Sequence, residues 1–141
     1  MPFEKKSLFC YYLFHQKKDG AMPKKQFTRE LSKMNIEEGM PSLAEATVRM
    51  NQFINESQHS GLRVIKIIHG YGSSGVGGRL RSGLRQELAK RKQNGKIKDF
   101  IPGERFGVNE ETLLHIQQYT TLKVDPDFSM QNPGITVIIL Y

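Results

Sequence analysis

His69 ends an apolar run and is followed at once by Gly70, Tyr71, Gly72, Ser73, Ser74 and Gly75, then by Gly77, Gly78, Arg79, Arg81 and Arg85. Residue types of this kind, in this order, suit the holding of a phosphate. A loop with little or no side chain lets a ligand approach the backbone, and a helix starting behind it aims unpaired N–H groups and partial positive charge at an anion. The three arginines add fixed positive charge, and His69 adds a titratable group beside the loop. Upstream, Glu37 and Glu38 would lie near the same loop if the strands that carry them are parallel neighbours. Two acids, a histidine and a phosphate site would suffice for metal-assisted phosphodiester cleavage. The same two glutamates also suit a solvated strand end.

The elements that must position these residues are legible on both sides of the loop. Residues 64–68, V-I-K-I-I, are β-branched apart from Lys66 and read as a buried strand. Leu80, Leu84 and Leu88 recur at helical spacing, so a helix is expected over 78–92, stopped by Asn94-Gly95. Ser42 and Glu45 have the capping-box form, which predicts a helix from Leu43 to about His59, with an apolar face of Leu43, Ala46, Met50, Phe53 and Ile54. Weak alternation over 31–38 suggests a half-exposed strand ahead of it. Further on, a short strand is expected over 97–101, broken at Pro102-Gly103, and a helix from Asn109 to about Tyr119. An irregular stretch then leads to I-T-V-I-I-L at 135–140, the clearest strand in the chain. Strands separated by single helices give an α/β domain, and a right-handed crossover makes the first two strands parallel.

At 141 residues with 38% hydrophobic content, the chain holds one ordinary core, placed here at 31–141, with residues 1–30 as an N-terminal extension. In that extension Phe9, Tyr11, Tyr12 and Phe14 lie between lysine pairs, a composition that suits either base stacking or rings docked on the core. The net charge of +7 and pI near 9.6 point to an anionic partner, and a single cysteine excludes an internal disulfide. The four histidines are scattered, with no i+3 or i+4 ligand pair, so no resident metal or other cofactor is expected, a divalent ion entering only with a nuclease. No stretch approaches the roughly 20 apolar residues of a membrane span, and residues 8–14 lack the cleavage site of a signal peptide, so a cytoplasmic protein without a membrane partner is expected. Oligomeric state is not legible. G-x-G-x-x-G at 70–75, with Asp99 downstream, raises a dinucleotide fold, but too few strands remain to build one; a nucleoside-triphosphatase loop fails because no Gly-Lys-Ser/Thr follows.

H-G-Y-G-S-S-G-V-G-G-R-L-R at 69–81, led by V-I-K-I-I and followed by the leucine-spaced helix, resembles the second motif of the small MutS-related (Smr) domain. Pro133-Gly134-Ile135-Thr136-Val137 is similar to that family's final glycine-led strand. The resemblance implies a two-layer sandwich of a mixed four-stranded sheet with two main helices, similar to the C-terminal domain of bacterial translation initiation factor three. It also implies nucleic-acid binding, DNA or RNA, with nicking or cleavage in several members. The family's first motif, L-D-L-H-G, falls at Asn35-Ile36-Glu37-Glu38-Gly39, where only the glycine matches. His69, Gly70, Gly72 and Arg81 match the second motif and carry its binding role by resemblance. Three functions follow: a nucleic-acid-binding domain, an endonuclease using His69 with Glu37 or Glu38, or a protein or ribosome interaction module that uses the aromatic extension. The stretch 105–132 exceeds a minimal domain of this type and is expected to be an elaboration.

Overall fold

The structure, a computed structural model, describes residues 31–70 and 76–141; the extension at 1–30 lies outside the described residues. The elements run β1 (Ser32–Asn35), α1 (Leu43–His59), β2 (Val64–Ile68), α2 (Val76–Gln93), β3 (Asp99–Pro102), α3 (Glu110–Gln118) and β4 (Ile135–Ile139). Short 3-10 turns occupy Gly103–Arg105 and Thr120–Val124. The strands form one mixed sheet in the order β1-β2-β4-β3. β1 is parallel to β2, as a crossover through α1 requires, and β4 is antiparallel to both of its neighbours.

Local chemistry sets these elements. At the start of α1, Ser42 Oγ accepts from the Glu45 amide at 3.1 Å while the Glu45 carboxylate accepts from the Ser42 amide at 3.0 Å, so two otherwise orphaned donors are satisfied. Gly61, at φ 80°, terminates that helix in the left-handed region. Asn109 caps α3 by accepting from the Thr112 amide at 3.2 Å. α2 starts at Val76, two residues before the expected position, so Gly77 and Gly78 belong to its first turn and not to the loop. Its buried leucines at 80, 84 and 88 meet α1, and Gly83 permits the close approach, since a Cβ there would lie 2.6 Å from Leu43 Cδ1. β1 is shorter than the alternation at 31–38 suggests. After Asn35 the Ile36 amide still donates to Ile68 O at 2.9 Å, and the chain then turns through Gly39 and Met40 at φ 84° and 51°. β3 ends with Pro102 on an edge strand, where the missing amide costs no ladder bond.

The sheet is covered on both faces. α1 and α2 pack on Ile65, Ile67 and Ile138. Against the opposite face, carrying Val64, Ile68, Ile135, Val137 and Ile139, lie Phe106, Ile116 and Leu122. The expected elaboration at 105–132 thus forms most of the second cover, which explains why β4 is buried along its whole length and apolar but for Thr136. Lys66 also points to this second face. Its side chain is 3% exposed, and its ammonium lies 2.9 Å from Asp125 Oδ1 and 2.7 Å from Asp127 Oδ2.

Candidate nucleic-acid interface

The base of the glycine loop is pinned by the last strand. After β2 ends at Ile68, the amides of His69 and Gly70 both donate to the carbonyl of Gly134, at 2.9 and 3.1 Å. Gly70 takes φ 85°, a conformation that side-chain-bearing residues rarely adopt. The chain then enters 71–75. Tyr71, Gly72, Ser73, Ser74 and Gly75, expected at the phosphate, lie outside the described residues.

His69 is wholly buried, and its hydrogen bonds fix its tautomer. Nδ1 lies 3.1 Å from Gly70 O, and because a carbonyl only accepts, Nδ1 carries the proton. Nε2 therefore accepts from the Thr136 hydroxyl at 2.9 Å, and Thr136 Oγ1 in turn accepts from Arg85 Nε at 3.0 Å. Donation runs one way, from Arg85 through Thr136 and His69 to the Gly70 carbonyl. Burial, helped by the positive charges of Arg85 and Arg81 and opposed by the Gly70 bond, brings the imidazole pKa down to about 4, so the ring is neutral at physiological pH. A general acid or base must reach the substrate's proton. This ring is wholly buried and each nitrogen is already hydrogen-bonded within the fold, so its geometry is that of a residue that holds the loop.

The expected cations are differently engaged. Arg85 donates from Nη2 to Glu104 Oε1 at 2.9 Å, from Nη1 to Glu104 Oε2 at 3.2 Å and from Nη2 to Ile135 O at 3.0 Å. Arg81 is half-buried and its charge acts on both His69 and Glu104, while Arg79 is exposed. Towards the far end of α2, Arg91 faces Glu87 at 3.6 Å and Lys92 binds Asp99 at 2.9 Å. Asp99 also accepts from His115 at 2.7 Å, so the acid at the dinucleotide-like distance serves the sheet edge. The first turn of α2 holds no acidic residue, unlike that of α1 with Glu45, so no carboxylate within that turn offsets the positive end of its dipole.

Of the two glutamates, the structure brings one to the loop. The Glu37 carboxylate lies against Gly70, where a Cβ would be 2.7 Å from its Cδ and Oε1. Glu38 is exposed, and its carbonyl accepts from Arg49 Nη1 at 2.7 Å. Among the described residues no group of three or more His, Cys, Asp or Glu side chains could hold a metal ion, and no helix is long and apolar enough to cross a membrane. Thr136 and Glu104 were not legible as site residues. Thr136 carried one signal, as the lone polar residue of a buried strand, which must find a partner; Glu104 carried none.

The model of the Smr domain family matches residues 38–105. Among solved structures, the Smr domain of Thermus thermophilus MutS2 is similar, at 21% identity, with 79% of this chain and 99% of that chain covered and a TM-score of 0.49. No curated protein matches the sequence.

Proposed function

This chain carries an Smr domain, and on that premise we propose that it binds nucleic acid through the phosphate backbone at the loop end of α2. The observation that supports this reading is the Arg85–Thr136–His69–Gly70 relay, which fixes the loop's base just ahead of a helix start without acidic residues. Loop amides hold one phosphate, and Arg79 and Arg81 neutralise its neighbours. Phosphate contacts of this kind carry no sequence information, so DNA and RNA of suitable shape are both substrates for binding. Affinity for a duplex falls with salt at a logarithmic slope of about −0.9 per neutralised phosphate. Fluorescence anisotropy on a labelled duplex and a labelled RNA hairpin, titrated at several salt concentrations, measures this. An affinity that stays flat from low to moderate salt refutes the reading.

A second reading, metal-assisted cleavage of the bound strand, is favoured by one observation, the placement of the Glu37 carboxylate against Gly70. Here Glu37 would hold a divalent ion beside the phosphate and His69 would act as a positioning residue. In a supercoiled-plasmid nicking assay with added magnesium, Glu37→Gln lowers the rate at least ten-fold on this reading, about 1.4 kcal/mol of barrier, while Glu38→Gln leaves it unchanged. Wild-type protein that does not nick, or nicking that survives Glu37→Gln, removes cleavage through this residue.

A further inference from the structure

The Glu104 carboxylate covers both outer nitrogens of the Arg85 guanidinium, midway along α2 and linked through Thr136 to His69 at the base of the loop where the proposed ligand docks. The other edge of that guanidinium is committed to the fold through Thr136 Oγ1 and Ile135 O, so the fork is held in place and presents a fixed, planar pair of donors to Glu104. Such a fork fits a carboxylate and a phosphate in the same bidentate way. Glu104 is itself held. It sits in the 3-10 turn Gly103–Arg105, whose Gly103 is packed so tightly that a Cβ would meet the Asn132 carbonyl and lie 2.7 Å from Ile135 O. Its side chain is nonetheless 43% exposed, so a solvent-borne anion can reach the pair. Its charge also acts on Arg81.

Resting on the nucleic-acid reading above, we propose that Glu104 is a built-in competitor, occupying on Arg85 the place that a backbone phosphate would otherwise take and so limiting the affinity of the site. Solvent reaches the pair from the Glu104 side while the Arg85 side chain is only 16% exposed, so an incoming phosphate exchanges one anion for another on a largely buried fork without disturbing the Arg85 bond to Thr136. Removing the carboxylate charge therefore frees a pre-oriented guanidinium for one more phosphate.

The test compares Glu104→Gln with Glu87→Gln on the full chain. Glu87, two residues beyond Arg85 and so on the opposite face of α2, pairs with Arg91, and its loss changes the net charge equally. Binding of a labelled DNA duplex is measured by anisotropy across salt concentrations, with thermal melts to verify folding and Glu104→Ala as a second variant. Glu104→Gln is expected to raise affinity roughly three- to ten-fold at low salt and to steepen the salt slope by about 0.9, the effect of one added phosphate contact. Equal effects of the two glutamine variants would reduce Glu104 to a bulk-charge contribution and overturn the proposal. Weaker binding by folded Glu104→Gln or Glu104→Ala would overturn it too, making Glu104 a support of Arg85. Absence of binding by wild type and variants alike refutes the nucleic-acid reading itself, and this proposal with it.

Discussion

Lys66→Met should destabilise the protein by about 3–5 kcal/mol, the cost of breaking a buried ion pair by removing one partner. That is a large share of the roughly 5–15 kcal/mol by which a domain of ordinary size is stable. Lys66 lies in the middle of β2 and is 2% exposed, yet its ammonium bonds both oxygens of Asp125, at 2.9 and 3.1 Å, and Asp127 at 2.7 Å. The two acids are tied into the second cover as well. Asp125 also accepts from the amides of Leu31 and Asp127, and Asp127 accepts from Asn132. Methionine matches the stem but leaves two carboxylates without their cation.

The pH dependence of that loss carries a definite sign. Burial works to lower the Lys66 pKa, but the bonds to Asp127 and Asp125 outweigh it and raise the pKa above the ordinary lysine value of 10.5. Burial works to raise the Asp127 pKa, but the bond to Lys66 outweighs it and holds that pKa below the ordinary 3.8. The cluster's contribution is therefore complete between these two values. It fades in acid as pH falls through the depressed aspartate pKa, and in strong base as pH rises through the raised lysine pKa. In Lys66→Met, Asp127 loses the cation that holds its pKa down and that pKa rises, so the variant regains part of its deficit on acidification. Urea denaturation of both proteins at neutral pH and near pH 4 measures the gap, and a gap that is constant or wider in acid contradicts the cluster's role. Adding Asp125→Asn to Lys66→Met should recover part of the loss at neutral pH, since it removes one of the stranded charges.

The same lysine shows where sequence reading stops. The strand, the capping box at Ser42, the Asn109 cap and the parallel pairing of β1 with β2 are local or near-local signals, and each is present in the fold. Lys66 interrupts a buried strand, but its partners lie 59 and 61 residues away in a stretch that reads only as polar and irregular. His69 reads as a titratable group beside a phosphate loop; its burial follows from Gly134 and Thr136, 65 and more residues downstream. The cations of α2 look like one basic face, whereas Arg85, Arg91 and Lys92 are paired with Glu104, Glu87 and Asp99. The role of Glu37 over Glu38 depends on how the chain turns after β1, and no spacing in the sequence encodes that.

Gly70→Ala should damage fold and binding together, and the two losses can be separated. At φ 85° an alanine carries backbone strain of about 1–2 kcal/mol. Its Cβ would also collide with the Glu37 carboxylate, 2.7 Å from Cδ, although that is the free end of a flexible side chain and can swing aside. The stability loss is therefore set mainly by the backbone, at roughly 1–3 kcal/mol, and Glu37→Ala in the same chain should restore only the smaller, steric part. The functional loss has a different origin. Relaxing residue 70 out of the left-handed region turns its carbonyl away from His69 Nδ1, which ends the relay and leaves a buried donor unsatisfied. The loop then loses the base from which it presents its amides, and affinity for a duplex should drop at least ten-fold, about 1.4 kcal/mol. Gly95→Ala provides the control. Gly95 has φ 74° at the far end of α2, with nothing within 4 Å of an added Cβ, so it carries comparable strain without touching the loop. It should cost stability while leaving affinity unchanged. If folded Gly70→Ala binds like wild type, or if Gly95→Ala weakens binding as much, the loop base is not what positions the phosphate.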